Sequence, residues 1–122
     1  AHDSAEEIVA ALQANGEKAA KVSALGILSK SPTSVKVALR GLREARDMAS
    51  LEDALQQELR ISCGFLTHPD FVEGVRAQVI DKDRKPQWSP TKLEEVDGAT
   101  VDGFFASLGE HDLDLDTDGA RN

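Results

Sequence analysis

Apolar residues in this chain recur at three- and four-residue intervals between helix start and stop signals, and no stretch of useful length alternates apolar with polar. A half-buried strand needs a period of two and a helix one near 3.6, so the chain is predicted to be all-α, with five to six short helices. Ser4 followed by Glu7 opens the first; Ile8, Ala11 and Leu12 continue it to a stop at Asn15-Gly16. Glu17 to Leu28 forms a second, weakened by Gly26. Ser31-Pro32 joins an N-cap to a proline at the first helical position, and Val35, Ala38, Leu39, Leu42 and Ala45 mark the apolar face of a helix running to about Met48. Ser50 with Asp53 starts a fourth, whose buried side is predicted as Leu51, Ala54, Leu55, Leu59, Ser62 and Leu66. Glu58 falls inside that sector. It is therefore predicted to be structural, accepting hydrogen bonds within the helical layer, because an unpaired carboxylate there is costly.

Thr67-His68-Pro69-Asp70 interrupts the period and initiates a fifth helix with Phe71, Val72, Val75 and Val79 as its apolar positions. Gly74 inside it implies close packing. Asp81 to Pro90, with two prolines and no helical period, is an irregular loop carrying Trp88. One turn over Thr91 to Glu95 and a short helix over Ala99 to Leu108 complete the pattern.

Length and composition agree with a single helical domain. The 122 residues are 40% hydrophobic, and with four Phe, one Trp and no Tyr the core must be mainly Leu, Val, Ile and Ala. Cys63 is the only cysteine, so no intrachain disulfide can form; a reducing compartment and a role as a small core residue fit it best. No apolar run approaches the roughly 20 residues of a membrane span, and the polar, acidic N-terminus is unlike a secretory signal. The chain opens Ala1-His2 with no methionine, as a processed or excised piece would.

Its net charge of −8 disfavours nucleic acid as a partner. Glu110, Asp112, Asp114, Asp116 and Asp118 concentrate acid in the last stretch, so residues 109–122 are predicted to be a disordered acidic tail behind a helical region over 1–108. Lys36, Arg40 and Arg43 stand at helical spacing and are expected to pair with the protein's own acids.

Few residues point to chemistry. Asp114 to Gly119 matches the first half of a calcium-binding loop, but the chain ends before the bidentate acid at position twelve, so a solvated terminus is the better reading. His2, His68 and His111 have no partner spaced for a metal or a triad, and His68 is expected to be a turn residue. No nucleophile, base and oxyanion donors occur together, so the chain is assigned no catalytic residue and no metal ligand. The segment Lys82 to Trp88 has two readings: bases beside an aromatic that hold a phosphate and stack a purine, or a solvated loop with Trp88 pinned on the core.

Five motifs in order carry a resemblance. Ser31-Pro-Thr-Ser34, Glu58-Leu-Arg60-Ile-Ser62, Asp70-Phe-Val-Glu-Gly74-Val-Arg-Ala77, Ile80-Asp-Lys-Asp83 and Lys85-Pro-Gln-Trp88 resemble the C-terminal part of 3-hydroxyisobutyryl-CoA hydrolases, a branch of the enoyl-CoA hydratase/isomerase (crotonase) superfamily. The likeness runs from about Ser4 to Leu115. It implies a helical segment that covers the active site, supports coenzyme A binding and subunit association, and lacks the N-terminal ββα-spiral core to which the family's catalytic groups belong. The resemblance further implies that Phe65 packs near the CoA adenine and that Lys85 meets a nucleotide phosphate, while Glu58, Gly74 and Trp88 are structural. Coenzyme A enters as part of the substrate, with no other cofactor. The partners implied are the N-terminal crotonase core, a CoA thioester and further copies in a homo-oligomer. The full-length reaction would be hydrolysis of 3-hydroxyisobutyryl-CoA in valine breakdown, or alternatively hydration of an enoyl-CoA. A free-standing helical interaction module is the alternative of another class. Cytoplasm is the expected compartment, with the mitochondrial matrix as the alternative.

Overall fold

The computed structural model describes residues 4–112, so His2 and the calcium-loop-like segment Asp114 to Gly119 lie outside the described residues. Six helices follow one another: α1 (Ala5–Ala14), α2 (Lys18–Leu28), α3 (Pro32–Arg46), α4 (Leu51–Thr67), α5 (Pro69–Val75) and α6 (Gly98–Phe105). No strand occurs among the described residues. The start signals act as the sequence implies. Ser4, Ser31 and Ser50 accept from the backbone N–H of Glu7, Ser34 and Asp53, each satisfying a donor that has no partner within its helix. Gly16 takes a φ of 85° at the turn between α1 and α2, a left-handed conformation that glycine adopts without strain. Asp97 caps α6 by accepting from Thr100 N–H at 2.8 Å, which starts that helix one residue earlier than the periodicity indicates.

Two small apolar clusters hold the helices. Ala5, Val9, Ala24 and Leu93 form one beneath the α1–α2 hairpin; Val37, Val96, Val101 and Phe104 form the other, flanked by Ile61, Phe65 and Phe105. Both draw on residues 93–105, so the segment after the irregular loop returns under α1, α3 and α4. Gly64 of α4 sits where a Cβ would come within 2.5 Å of the Phe104 ring, so α4 and α6 meet through a missing side chain.

α6 buries Val101 and Phe104 as its periodicity predicts, whereas α4 faces the opposite way and α3 does so in part, since Val35 and Leu39 of its predicted face still pack against the first cluster. α3 turns Thr33, Val37 and Gly41 inward and leaves Ala38, Leu42 and Ala45 exposed. α4 turns in Gln57, Ile61 and Gly64, with Gln57 Nε2 donating to Gly41 O at 3.2 Å, while Leu51, Leu55, Ser62 and Leu66 face out. Glu58 lies in that outward sector: it is exposed, and no described residue donates to its carboxylate, so the expected pairing within the layer is not made. The sector assignment is right and its direction is reversed. Cys63 is half-buried rather than a core residue.

The chain expected to be a free tail from Gly109 begins with a folded turn, Gly109–His111. Asp112 behind it accepts from Arg60 Nε and Nη2, both at 2.9 Å, from Ser107 Oγ at 2.6 Å and from Leu108 N–H at 3.1 Å. The Arg60 guanidinium and the Ser107 hydroxyl hold its carboxyl far below the usual carboxylate range.

Candidate functional site

α5 and the loop behind it show the reversal most fully. Proline at its first position and Asp70 at its second start the helix, which widens into a π-turn over Arg76–Ile80. The side turned to the fold is small or polar: Asp70, Gly74 and a fully buried Ala77. Asp70, only 4% exposed, accepts from Ser31 Oγ on one oxygen and from Ser89 N–H at 2.8 Å on the other, so one carboxylate joins the starts of α3 and α5 to the loop. Glu73 accepts from Nε and Nη2 on one edge of the Arg76 guanidinium, at 2.8 and 2.7 Å, and from the Gln87 N–H at 2.8 Å. Arg76 also reaches Asp81 and Asp83, each at 2.8 Å. The guanidinium, helped by the Gln87 amide, lowers the Glu73 carboxyl to about 2, and three carboxylates push Arg76 up in return.

Trp88 closes this side. Its ring lies 3.4 Å from where a Gly74 Cβ would stand, and its indole N–H donates to Ser29 O at 3.1 Å. One face of the Trp88 ring thus lies on Gly74 and its polar edge is satisfied. Lys85 is exposed; its backbone N–H donates to Asp83 at 2.9 Å, and its ammonium forms no hydrogen bond with a described residue.

The other side of α5 is apolar and open. Phe71 is 51% exposed, Val72 66% and Val79 63%, beside Leu66 of α4 at 68%. Ile61, Phe65, Leu66, Phe71, Val75 and Val79 line a groove of about 670 Å³ between α4 and α5. A groove of about 490 Å³ between α3 and α4 shares Ile61 and Phe65 with it, and one of about 510 Å³ between α2 and α3 shares Ala38 and Leu42 with the second. The three join into an apolar band across α2, α3, α4 and α5. Phe65 stands within it but is engaged from behind, tilted against Phe104 with centroids 4.5 Å apart and edge-on to His68 at 6.1 Å. Lys85 is not part of the band's walls, so the groove does not bring the two CoA-assigned residues together.

The basic stripe on α3 is consumed internally. Lys36 donates to Glu6 at 3.0 Å and to Val96 O at 3.1 Å, and Arg40 pairs with Glu44 and Asp102 while lying 4.4 Å over the Phe105 ring. Among the described residues no three His, Cys, Asp or Glu side chains are placed to hold a metal ion. The band's walls are mostly apolar, with Ser34, Ser62, Asp70 and Gly74 also lining the α4–α5 groove and Glu58 the α3–α4 groove. Sequence reading missed Asp70 and Arg76. The i,i+3 spacing of Glu73 and Arg76 is a readable signal for the second, whereas the partners of Asp70 lie 39 and 19 residues away.

Residues 1–105 match the enoyl-CoA hydratase/isomerase family. The chain belongs to that family. It is 46% identical over 113 residues to the mitochondrial 3-hydroxyisobutyryl-CoA hydrolase of Gallus gallus, covering 93% of this chain and 29% of that protein. The human protein of the same name is 42% identical over 108 residues, 88% of this chain and 28% of its own length. Among solved structures it is similar to a carnitinyl-CoA dehydratase from Mycobacterium thermoresistibile, with a TM-score of 0.86 and 39% identity over 94% of this chain and 32% of that one. An enoyl-CoA hydratase from Rhodobacter sphaeroides 2.4.1 gives a TM-score of 0.86 at 31% identity, covering 93% and 34%. The chain thus spans less than a third of the length of these curated relatives and corresponds to their helical C-terminal region.

Proposed function

We propose that this chain is the helical C-terminal part of a CoA-thioester enzyme of the 3-hydroxyisobutyryl-CoA hydrolase type, with its apolar band seated on the catalytic core and on neighbouring subunits. One observation carries the proposal: α4, α5 and the Ala38–Leu42–Ala45 edge of α3 present apolar residues outward, on a chain that matches less than a third of hydrolases to which it is up to 46% identical. Exposed apolar surface of this extent marks an interaction site. In the whole enzyme, backbone amides supplied by the core stabilise the thioester oxyanion while a carboxylate activates water, and this segment excludes bulk water around them. The compartment follows the same likeness: the relatives named as hydrolases are mitochondrial, which supports the matrix over the cytoplasm.

The test is an assay of the full-length polypeptide that carries this segment. It should release free thiol from 3-hydroxyisobutyryl-CoA. Hydration of crotonyl-CoA without thiol release would replace the hydrolase by the hydratase reading, and inactivity toward both would leave the interaction module. Phe65 and Lys85 keep their assigned CoA contacts within this proposal. Support for Lys85 is its exposed, unbonded ammonium, and for Phe65 its place in the groove wall. Both would touch parts of the substrate remote from the thioester. Lys85→Ala should therefore raise KM with little change in kcat, by about 1–3 kcal/mol of binding, and should have no effect on a pantetheine thioester lacking the nucleotide.

A further inference from the structure

We infer that the junction of α4 and α5 is a proton-sensitive latch, in which neutral His68 holds the first turn of α5 and protonation of its imidazole releases that turn and swings the ring toward Asp70. His68 is at once the C-cap of α4 and the N-cap of α5. Its Nδ1 accepts from the Asp70 N–H at 3.1 Å. A ring nitrogen that accepts must carry a lone pair, and both nitrogens of a charged imidazole are donors, so this cap exists only in the neutral ring with its proton on Nε2. The side-chain caps of α1, α3, α4 and α6 are Ser4, Ser31, Ser50 and Asp97, acceptors that persist throughout the pH range in which an imidazole ordinarily charges. α5 alone depends on a proton being absent.

The alternative partner is already in place. Asp70 Oδ2 lies 3.9 Å from the same Nδ1, too far for a hydrogen bond and close enough to be reached by a small rotation. α4 presents Phe65 to the ring and α6 presents Phe104 at 5.8 Å, neither of them titratable; behind Asp70 stand Ser31 at the start of α3 and Ser89 in the loop. Among the described residues no other acid comes within 4.0 Å of the ring nitrogens. A cation at a helix N-terminus is disfavoured by the helix dipole while the Asp70 carboxylate favours it, so charging exchanges one partner for the other. The new pair competes for the oxygen that holds Ser31, which couples the α3 start to the same event. Because α5 and the π-turn that continues it carry Phe71, Val75 and Val79, the latch also sets the position of one wall of the apolar band.

Nitrogen-15 NMR of the chain tests this directly. At about pH 8 the His68 ring should show Nε2 protonated and Nδ1 bare. Hydrogen-exchange protection of Asp70, Phe71 and Val72, corrected for intrinsic exchange, should fall roughly five-fold, the loss expected for an N-cap, once the ring is charged, the charge being read from its own nitrogen-15 shifts. His68→Asn retains an acceptor that does not titrate and should abolish that fall; if it does not fold, His68→Ser serves the same purpose. A proton on Nδ1 at pH 8 overturns the inference. So does unchanged protection across a titration in which the ring demonstrably charges, or an equal fall in the Asn or Ser variant.

Discussion

The two sides of α5 are built on opposite rules. The inward side is held by Asp70, the Glu73–Arg76 pair and the Trp88 ring on Gly74, almost all of it directional polar contact; the outward side is Phe71, Val72, Val75 and Val79, most of them over half exposed. A lone surface helix buries its apolar stripe and wets the other. When the order is reversed over α4, α5 and one edge of α3, small residues such as Gly41, Gly64 and Ala77 let helices approach, hydrogen bonds fix their register, and the apolar area is left for whatever lies outside the chain. The difference separates what makes this segment fold from what makes it bind, and substitutions can be sorted accordingly.

The largest effect is expected on the inward side at Asp70. Asp70→Ala leaves the buried Ser31 hydroxyl and the part-buried Ser89 N–H without their acceptor, and urea unfolding should show a loss of about 3 kcal/mol. A loss below about 1 kcal/mol would mean that the polar side does not hold α5. Next comes Gly64→Ala, whose methyl would meet the Phe104 ring; pushing that ring out of its cluster should cost about 1–3 kcal/mol, read as a lower Tm.

The ends of these helices were legible because capping is local. Ser4, Ser31 and Ser50 announce their helices within four residues, and Asn15-Gly16 announces a stop. Nothing in the sequence pairs Gly74 with Trp88, whose ring lies against it from 14 positions further on. Direction was not legible. A period near 3.6 identifies which residues share a face, as it did for Leu51, Leu55, Glu58, Ser62 and Leu66, but nothing local says whether that face meets this chain or another surface. The buried faces were carried instead by Thr33, Gly41, Gln57 and Asp70, residue types that usually mark solvent or turns. Phe65 had a family-implied ligand role, while its stacking on Phe104 depends on a contact 39 positions away in sequence that periodicity does not encode.

A smaller effect is expected from acid. Glu73 is depressed from 4.5 to about 2 by Arg76, so its contribution is complete above about pH 4.5 and is lost as pH falls toward 2. Denaturant midpoints measured between about pH 5 and 2 should fall less steeply in Glu73→Gln than in the parent chain, with the curves converging at the acid end. Parallel curves over that whole range would show that the Arg76 pair contributes nothing to folding.

The smallest change in stability is expected on the outward side, and it bears hardest on the comparison. Phe71→Ser and Val72→Ser remove large apolar groups, and inside a core each would cost several kcal/mol. Here both are more than half exposed, so unfolding of the isolated chain should shift by no more than about 0.5 kcal/mol. The same chain, with its band uncovered, should bind a hydrophobic dye and self-associate, and the double variant should do less of both while staying equally folded. Sedimentation and dye fluorescence at matched concentration read that out, beside a far-ultraviolet spectrum showing unchanged helix content. If the double variant melts early instead, α5 is held by its apolar side after all, and the reversal that assigns folding to one side and binding to the other is wrong. If it is stable and associates as strongly as the parent, the binding surface lies elsewhere on the band, and Leu42 with Leu55 is the next pair to change.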